Sequence, residues 1–312
     1  MSKEILFFEP VFKERIWGGD LLAKSFGYEI PSSKTGECWA ISAHEHGQSV
    51  VKNGTYQGVT LGDLWSKHRE LFGNAKGDKF PILTKILDAT TELSVQVHPN
   101  DEYADKYENG EFGKTECWYI IDCKEDAELI LGHHAKTKTE LEEMLKNGRW
   151  DAFIRKIKIK KGDFIFVPSG TVHAICEGTM ILETQQNSDV TYRIYDFDRT
   201  DDVGNKRDLH LDQSIDVITV PHEDVQLQFE TVEYGDLAVT SFVKTDFFTV
   251  EEWNINGQGS KEHGENFLLV SVIEGEARLN NEPIQKGDHF MLPRGFGEIK
   301  VDGKAKLIVS YL

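Results

Sequence analysis

The chain has 312 residues, more than a single hydrophobic core usually holds, so we expect two compact units or one elaborated core. It carries 35 basic and 53 acidic side chains, and its formal net charge of −18 is scattered along the sequence. Binding to nucleic acid or to an anionic membrane needs a concentrated basic face, so the composition argues against both kinds of partner. An anionic small molecule would have to be held by a few local cations.

The cysteines and the N-terminus indicate a reducing compartment. The four cysteines form no C-x-x-C pair, and we interpret Cys117 and Cys176, which lie in apolar runs, as packing residues. The first residues lead directly into folded-looking sequence without a signal peptide, and the longest apolar runs are too short to span a bilayer. We therefore expect a cytoplasmic protein.

Short strand-like runs bounded by Gly, Pro, Asn and Asp follow one another along much of the chain. Their density predicts a mainly β fold, either a sandwich or a jelly-roll barrel. The runs cover residues 37–43, 47–51, 84–89, 92–98, 116–122, 127–131, 155–159, 163–167, 180–184 and 191–196.

Helical segments interrupt these strands, and we expect them to form a small subdomain beside the first barrel. Thr60 and either Thr137 or Thr139 are in position to cap them at their start. The expected segments are insertions at about residues 60–72 and 138–155 and a weaker helix over residues 211–217.

Two histidines and a glutamate have the character of metal ligands. Strict alternation places Gln96 and His98 on the same face of the strand predicted over 92–98. Glu116 opens an otherwise apolar strand, where an ionised carboxylate is costly unless it is paired or metal-bound. His173 follows a strand that ends in a Pro-x-Gly turn. Two neutral imidazoles and a carboxylate form an open divalent-metal site, to which Gln96 adds a fourth ligand or a group that orients one.

Other polar residues are candidates for contact with a substrate. Lys114 alternates with Glu116 and should share the metal-facing side, although the two could instead form a buried ion pair. Alternation also places Arg193 on one face with Thr191 and Tyr195, either toward the pocket or toward solvent. Weaker candidates are Lys85 and the possible pocket walls Trp17 and Trp39, whereas we expect His44, His46, His133 and His134 to lie at the surface.

A repeated turn signature changes the expected domain count. Residues 162–173 and 287–298 share a Gly-Asp start and a Pro-x-Gly turn, but the second copy has Glu298 where the first has His173. The hairpin expected over residues 267–279 also lacks paired histidines. We therefore predict a second barrel without metal, with a metal-binding domain over residues 1–225 and a degenerate barrel domain over 226–312.

The spacing Gly-x5-Pro-x-Gly-x2-His over residues 162–173 matches the second motif of the cupin family, and the stretch from Gln96 to Glu116 resembles a degenerate first motif. A longer resemblance is more specific. Several segments, in order, are similar to type I mannose-6-phosphate isomerases, and most of all to the short bacterial form. These segments are residues 10–19, 35–42, 95–101, 114–118 and 187–193.

The resemblance implies two cupin-type jelly-roll β-barrels and a Zn²⁺-dependent interconversion of mannose 6-phosphate and fructose 6-phosphate through a metal-stabilised enediol. It implies one Zn²⁺ per chain, bound by Gln96, His98, Glu116 and His173, and a catalytic role for Arg193. Lys114 would then bind the sugar phosphate.

Some alternatives stay open at this point. The general base could be Lys114 with a lowered pKa, a metal-bound hydroxide or Glu183. Two histidines and a carboxylate also suit a cupin Fe(II) oxygenase, and a non-catalytic sugar-binding cupin is a third possibility. Lys114 and Arg193 close to the metal favour an anionic sugar over oxygen activation.

Overall fold

A computed structural model describes residues 4–201 and 203–312. The described residues form 21 strands, six α-helices and two short 3-10 helices, Gly54–Tyr56 and Arg69–Phe72. The α-helices are α1 Leu21–Phe26, α2 Leu61–Lys67, α3 Asp101–Tyr107, α4 Lys138–Lys146, α5 Trp150–Phe153 and α6 Leu211–Val217. The strands are β1 Leu6–Glu9, β2 Val11–Gly19, β3 Thr35–Ile41, β4 Ala43–His44, β5 Gly47–Gln48, β6 Val50–Val51, β7 Ile82–Ala89, β8 Val95–Val97, β9 Glu116–Cys123, β10 Glu128–His133, β11 Ile154–Lys158, β12 Phe164–Val167, β13 His173–Ile175, β14 Thr179–Gln186, β15 Tyr192–Tyr195, β16 Glu230–Lys244, β17 Thr249–Glu262, β18 Phe267–Leu279, β19 Glu282–Gln285, β20 His289–Pro293 and β21 Glu298–Tyr311.

The first two thirds of the chain form a sandwich of two sheets, so the mainly β prediction is confirmed. One sheet has the strand order β12-β9-β14-β7-β3-β2, and the other has the order β11-β10-β13-β8-β15. The sheets pack face to face through a shared apolar core that includes Leu87 and Trp118 from the first and Leu129 and Ile175 from the second. The predicted metal ligands lie at one end of this interface.

The central strands of the six-stranded sheet are buried on both faces. Every residue of β7 and of β14 is buried, which explains why the sequence of β7 shows no alternation of polar and apolar residues. Leu87 faces the five-stranded sheet, whereas Ile86 packs into a second core together with Phe267 and Ile308 of the C-terminal sheet. The six-stranded sheet is therefore the middle layer of the molecule.

The C-terminal part forms an eight-stranded sheet in the order β16-β17-β21-β18-β20-β1-β6, with β19 paired to β18. The first strand of the chain completes this sheet, since Leu6 pairs with Met291 and Phe7 with Phe290. We propose a division near residue 225, into residues 1–225 and 226–312. On that division β1 and β6 extend from the first part into the sheet of the second.

The two copies of the repeated turn have the same backbone conformation. Gly162 and Gly287 have φ values of 89° and 94°, and Gly170 and Gly295 have 84° and 80°, all in the left-handed region that favours glycine. Glu298, at the position that corresponds to His173, is exposed and pairs with a neighbouring lysine. Among the described residues, potential metal ligands of the His, Cys, Asp and Glu types cluster only in the first sandwich.

The prediction of a hairpin over residues 267–279 is wrong. This segment is the single strand β18, which pairs with β21 on both sides of a register shift between Val272 and Glu274. Gly275 has a φ of 73° and follows the shift directly. A glycine that looked like a turn signal therefore accompanies a bulge inside a continuous strand.

The predicted helix starts are confirmed at Thr60 and Thr137, whose side chains accept hydrogen bonds from the N–H groups of Asp63 (3.1 Å) and Glu140 (3.2 Å). The α-helix expected over residues 61–72 ends early, at Lys67, and a 3-10 helix follows. The second insertion also ends early, because β11 begins at residue 154. Helices α1 and α3 were not predicted.

The helices do not form one subdomain. α2 belongs to the core that joins the sandwich to the C-terminal sheet, where Trp65 and Phe72 contact each other edge to face. α4, α5 and α6 instead cover the outer face of the five-stranded sheet, and their Leu141, Phe153 and Ile215 share a core with β8 and β15. The two groups therefore stabilise opposite sides of the sandwich.

A close backbone contact in β2 leads to a stability prediction. A Cβ atom on Gly18 would lie 2.3 Å from the backbone nitrogen of Gly36 and 2.6 Å from the carbonyl oxygen of Lys34. We expect Gly18→Ala to lower the free energy of unfolding by about 1–3 kcal/mol, as overpacking usually does. Gly264→Ala is the matched control, because nothing lies within 4 Å of the added methyl group. Equal urea midpoints for the two variants would contradict the prediction.

Candidate metal centre and active site

Three buried side chains meet where the two sheets of the sandwich face each other. His98 follows β8 and His173 opens β13, neighbouring strands of the five-stranded sheet, whereas Glu116 opens β9 in the opposite sheet. The Nε2 atoms of His98 and His173 lie 3.5 and 3.4 Å from the carboxylate oxygens of Glu116. All three ligand atoms lie within 4.8 Å of one another. The structure therefore brings together the three residues that the sequence selected.

The protonation of the two imidazoles suits metal binding. Nδ1 of His98 donates a hydrogen bond to the carbonyl oxygen of Val190, and Nδ1 of His173 donates to that of Thr171, both at 2.8 Å. The lone pairs of both Nε2 atoms are thus left facing Glu116. Burial lowers the pKa of His98 well below its usual value and that of His173 to about 4, so both rings are neutral. Metal-binding histidines are usually anchored through the second nitrogen in this way.

Lys114 places a positive charge beside this group. Its Nζ contacts the Glu116 carboxylate and lies 3.1 Å from Nε2 of His98 and 3.8 Å from Oε1 of Glu183. Burial opposes the charge, but the carboxylates of Glu116 and Glu183 raise the pKa of Lys114 above its usual value. The lowered pKa considered from the sequence is therefore wrong in this structure. The position next to Glu116 favours a cation.

The three side chains lie beside a cavity of about 420 Å³. Its lining is rich in charge, although the whole chain carries −18. Cationic side chains outnumber carboxylates there by five to three, so the cavity favours an anion. The cations are Arg15, Lys85, Lys114, Arg193 and Arg207, and the carboxylates are Glu37, Glu183 and Asp189.

Comparison with known proteins agrees with this geometry. The profile of the family "Phosphomannose isomerase type I, catalytic domain" matches residues 5–122, and that of "Mannose-6-phosphate isomerase, cupin domain" matches residues 238–312. Mannose-6-phosphate isomerase ManA of Bacillus subtilis (strain 168) is 58% identical, and the match covers 100% of both chains. The chain belongs to the type I mannose-6-phosphate isomerase family.

Two further members of the family show the same agreement over the full length. The mannose-6-phosphate isomerase of Streptococcus mutans is 52% identical, with 99% of this chain and 98% of that protein covered. A crystal structure of the mannose 6-phosphate isomerase from Bacillus subtilis superposes with a TM-score of 0.96 at 51% identity and covers 99% of each chain. The cupin fold and the family expected from the sequence are thereby confirmed.

Arg193 of this isomerase-family chain lies on the cavity side of β15. It is the pairing partner of Gln96 on β8. Its Nη1 donates to the carbonyl oxygen of Asp208 at 2.8 Å, and its backbone N–H donates to Nδ1 of His210 at 3.0 Å. Its Nε is buried and has no hydrogen-bond partner among the described residues. This guanidinium group thus keeps one donor that no described residue accepts.

The alternation expected around Arg193 holds only in part. Thr191 lines the cavity as predicted, but Tyr195 stacks on Trp150 outside it, with ring centroids 4.6 Å apart. The pairing of β15 with β8 shifts register between Arg193 and Tyr195, so that Tyr195 pairs with Val95 on the apolar side. A bulge of this kind reverses the face of every later residue in the strand.

The weaker candidates also gather around the cavity. Lys85 pairs with Glu183 across β7 and β14; its Nζ lies 3.9 Å from that carboxylate and 4.8 Å from the ring of Trp39. Burial and the charge of Glu116 raise the pKa of Glu183. Trp17 lines the cavity, whereas Trp39 lies beneath Lys85 and is completely buried.

Sequence reasoning missed four charged residues of the lining. Arg15 and Glu37 form a bidentate ion pair at 2.9 and 3.0 Å. Both residues and Asp189 lie inside segments that carried the family resemblance, and this was the available signal. Arg207 lies outside all of those segments and had no such signal.

The prediction of surface histidines is half right. His46 and His134 are exposed, but His44 and His133 are buried. His44 contacts Trp39 edge to face, and His133 stacks on Phe153 with ring centroids 5.3 Å apart. Both lie in segments that looked like turns but pack against an aromatic ring, a tertiary contact that local sequence does not reveal.

Proposed function

We propose that this chain reversibly converts mannose 6-phosphate to fructose 6-phosphate by moving a proton between C1 and C2 through an enediol. The observation that carries the proposal is the full-length identity to named isomerases, combined with a buried His-Glu-His group beside a cation-rich cavity. The relatives described above all bear isomerase names, so the oxygenase and sugar-binding alternatives gain no support from them.

We propose that His98, Glu116 and His173 bind one Zn²⁺ per chain and that Gln96 is the fourth ligand. The amide of Gln96 lies 3.3 Å from Nε2 of His173, and a half-turn of the amide exchanges its nitrogen for its oxygen at that position. Nitrogen and carboxylate donors with neutral imidazoles fit Zn²⁺. The ion, when bound, supplies Lewis acidity toward the oxygens of the sugar.

The cavity residues have distinct roles in this proposal. Arg193 stays protonated under all working conditions, so it serves as a hydrogen-bond donor that stabilises negative charge and not as a base. Lys114 binds the substrate through an ammonium group that lies at the cavity wall. Because Lys114 is already protonated, Glu183 is the group that can hold the proton from C1 or C2; its Oε1 lies 3.8 Å from Lys114 Nζ.

The expected setting of the enzyme follows from its composition and thiols. All four cysteines are free, as in a reducing compartment, and we place the protein in the cytoplasm. Within the described residues, no helix combines the length and the apolar character needed to cross a bilayer. A small sugar phosphate is the proposed partner; the charge of −18 disfavours nucleic acid and anionic membranes.

The test is a coupled assay with mannose 6-phosphate, before and after metal is removed with a chelator. We expect turnover in both directions, loss of turnover on chelation and recovery with added Zn²⁺. Failure of the purified protein to convert mannose 6-phosphate would overturn the proposal.

The phosphate group should matter strongly for activity. We expect kcat/KM for mannose 6-phosphate to exceed that for free mannose by about a hundredfold or more, because binding energy from the remote phosphate positions the reacting carbons. Steady-state rates with the two sugars measure this ratio. Comparable kcat/KM values would show that the cations of the cavity do not bind the phosphate.

A further inference from the structure

The cavity extends along β15, away from the proposed metal ligands. Arg193 is paired with Gln96 next to those ligands, and Asp196 follows three residues later. β15 ends at Tyr195 and bulges between Arg193 and Tyr195, so this stretch covers less than the roughly 10 Å that three fully extended residues would span. β8 runs antiparallel to β15, and the lining continues in the same direction from Gln96 back to Ser94 and Leu93. A sugar phosphate with C1 and C2 at the ligands would direct its phosphate toward this far end.

Arg207 is the cation at the far end. Its Nε donates to Oδ2 of Asp196 at 2.8 Å and its Nη2 to Oδ1 at 2.5 Å. Its remaining amino group, Nη1, makes no hydrogen bond to another described residue. The side chain is 29% exposed and lines the cavity. Asp196 therefore orients the guanidinium group and leaves one donor edge available to a ligand.

The charge at this end is only partly balanced by the protein, because Arg193, Arg199 and Arg207 lie near two carboxylates, those of Asp196 and Asp208. Asp196 also accepts a hydrogen bond from Arg199 at 2.6 Å, so two guanidinium groups share one carboxylate. Arg193 adds a third positive charge nearby. Burial and the charge of Arg207 lower the pKa of Arg193. Arginines crowded in this way create a local potential that an anion would relieve.

Of the other cations of the cavity, Arg193 lies next to the proposed metal ligands, and the remaining three already have partners in the protein. Arg15 uses both Nε and Nη2 on Glu37 and its Nη1 on a backbone carbonyl. Lys114 and Lys85 lie 3.8 and 3.9 Å from the same carboxylate oxygen of Glu183, at the end where the metal ligands lie. Arg207 is thus the cation best placed for a group that lies several bonds away from C1.

We propose that Arg207 binds the phosphate group of the substrate at the end of the cavity opposite the metal ligands and so determines the preference for phosphorylated sugars. Guanidinium groups form strong, charge-assisted hydrogen bonds to phosphate oxygens, and their planar shape fixes the orientation of the ligand. The identity of the sugar in this inference rests on the proposed function. The phosphate site itself does not depend on that function.

The experiment measures binding and catalysis in the full-length protein. Calorimetric titration with inorganic phosphate gives a dissociation constant that does not depend on turnover, and steady-state assays give KM and kcat for mannose 6-phosphate. For Arg207→Met we expect both the phosphate dissociation constant and KM to rise by about tenfold or more, as for loss of a hydrogen bond to a charged group. We expect kcat to change by less than about threefold, since the interaction is present in substrate and transition state alike.

Arg199→Met is the matched control. Arg199 pairs with the same Asp196 and adds to the local positive potential, but it is not part of the cavity lining and would not touch the phosphate; its loss should weaken phosphate binding by no more than about threefold. Arg207→Lys should lose less affinity than Arg207→Met, because it keeps the charge without the planar donor edge. If Arg207→Met does not fold, Arg207→Lys decides: weaker phosphate binding supports the proposal and unchanged binding overturns it.

Other outcomes separate this proposal from the proposed function. Unchanged phosphate affinity in Arg207→Met, or equal losses in Arg207→Met and Arg199→Met, overturns the phosphate site. Wild-type protein that binds inorganic phosphate through Arg207 but does not convert mannose 6-phosphate keeps the site and overturns only the function. Conversion of mannose 6-phosphate with the same KM in wild type and Arg207→Met keeps the function and overturns the phosphate site.

Discussion

His98→Ala and His173→Ala should each abolish metal retention and reduce isomerase activity to background, while the sandwich remains folded. Each substitution removes one of two neutral imidazole donors, and Zn²⁺ affinity depends steeply on the number of ligands. The fold should survive because Glu116 still pairs with Lys114, so no buried charge is left alone. Elemental analysis of the purified variants, alongside circular dichroism and the coupled assay, measures all three properties.

His134→Ala is the control for this prediction, because His134 is exposed and is not part of the group formed by His98, Glu116 and His173. It should retain wild-type zinc content and activity. Equal zinc content in wild type, His98→Ala and His173→Ala would remove the assignment of these residues as ligands.

Arg193→Lys should lower kcat by about a hundredfold or more, as removal of one preorganised charge-stabilising donor does. The buried Nε of Arg193 has no partner among the described residues, and its Nη1 is fixed by the carbonyl oxygen of Asp208. A lysine keeps the charge but not the planar, oriented donors. Zinc content should be unchanged, since no ligand is altered.

The control is Arg69→Lys, which alters an arginine that hydrogen-bonds to the carbonyl oxygens of Ala75 and Gly77 away from the cavity. It should leave kcat near the wild-type value. For Arg193→Lys, a raised KM with normal kcat would make Arg193 a substrate-binding residue instead. Wild-type values of both kcat and KM would contradict a catalytic role for Arg193.

Much of the site could be predicted because its residues stand out from their local surroundings. Glu116 is a carboxylate in an apolar strand, and His173 ends a glycine-containing turn whose φ values require glycine. Local alternation also placed Lys114 on the side of Glu116 correctly. Such signals depend on single residues or on a spacing of two residues, so they can be recognised without knowing how distant parts of the chain pack.

The cavity beyond the ligands could not be predicted in the same way. The bulge between Arg193 and Tyr195 depends on how β15 pairs with β8, and it moves Tyr195 out of the pocket. Arg207 reaches the cavity through its ion pair with Asp196, eleven residues earlier in the chain. Neither feature leaves a periodic pattern in the sequence.

Local residue chemistry was enough to predict the mainly β class, the helix caps and the three residues of the His-Glu-His group, and the resemblance of several short motifs was enough to indicate the family. The folded structure was needed to show that β1 completes the C-terminal sheet and that β7 is buried on both faces. It also decided which cations share the cavity with the metal group. The physical reason is that strand pairing and sheet packing are non-local: they bring together residues that are far apart in the chain, and burial then sets their charge and their role.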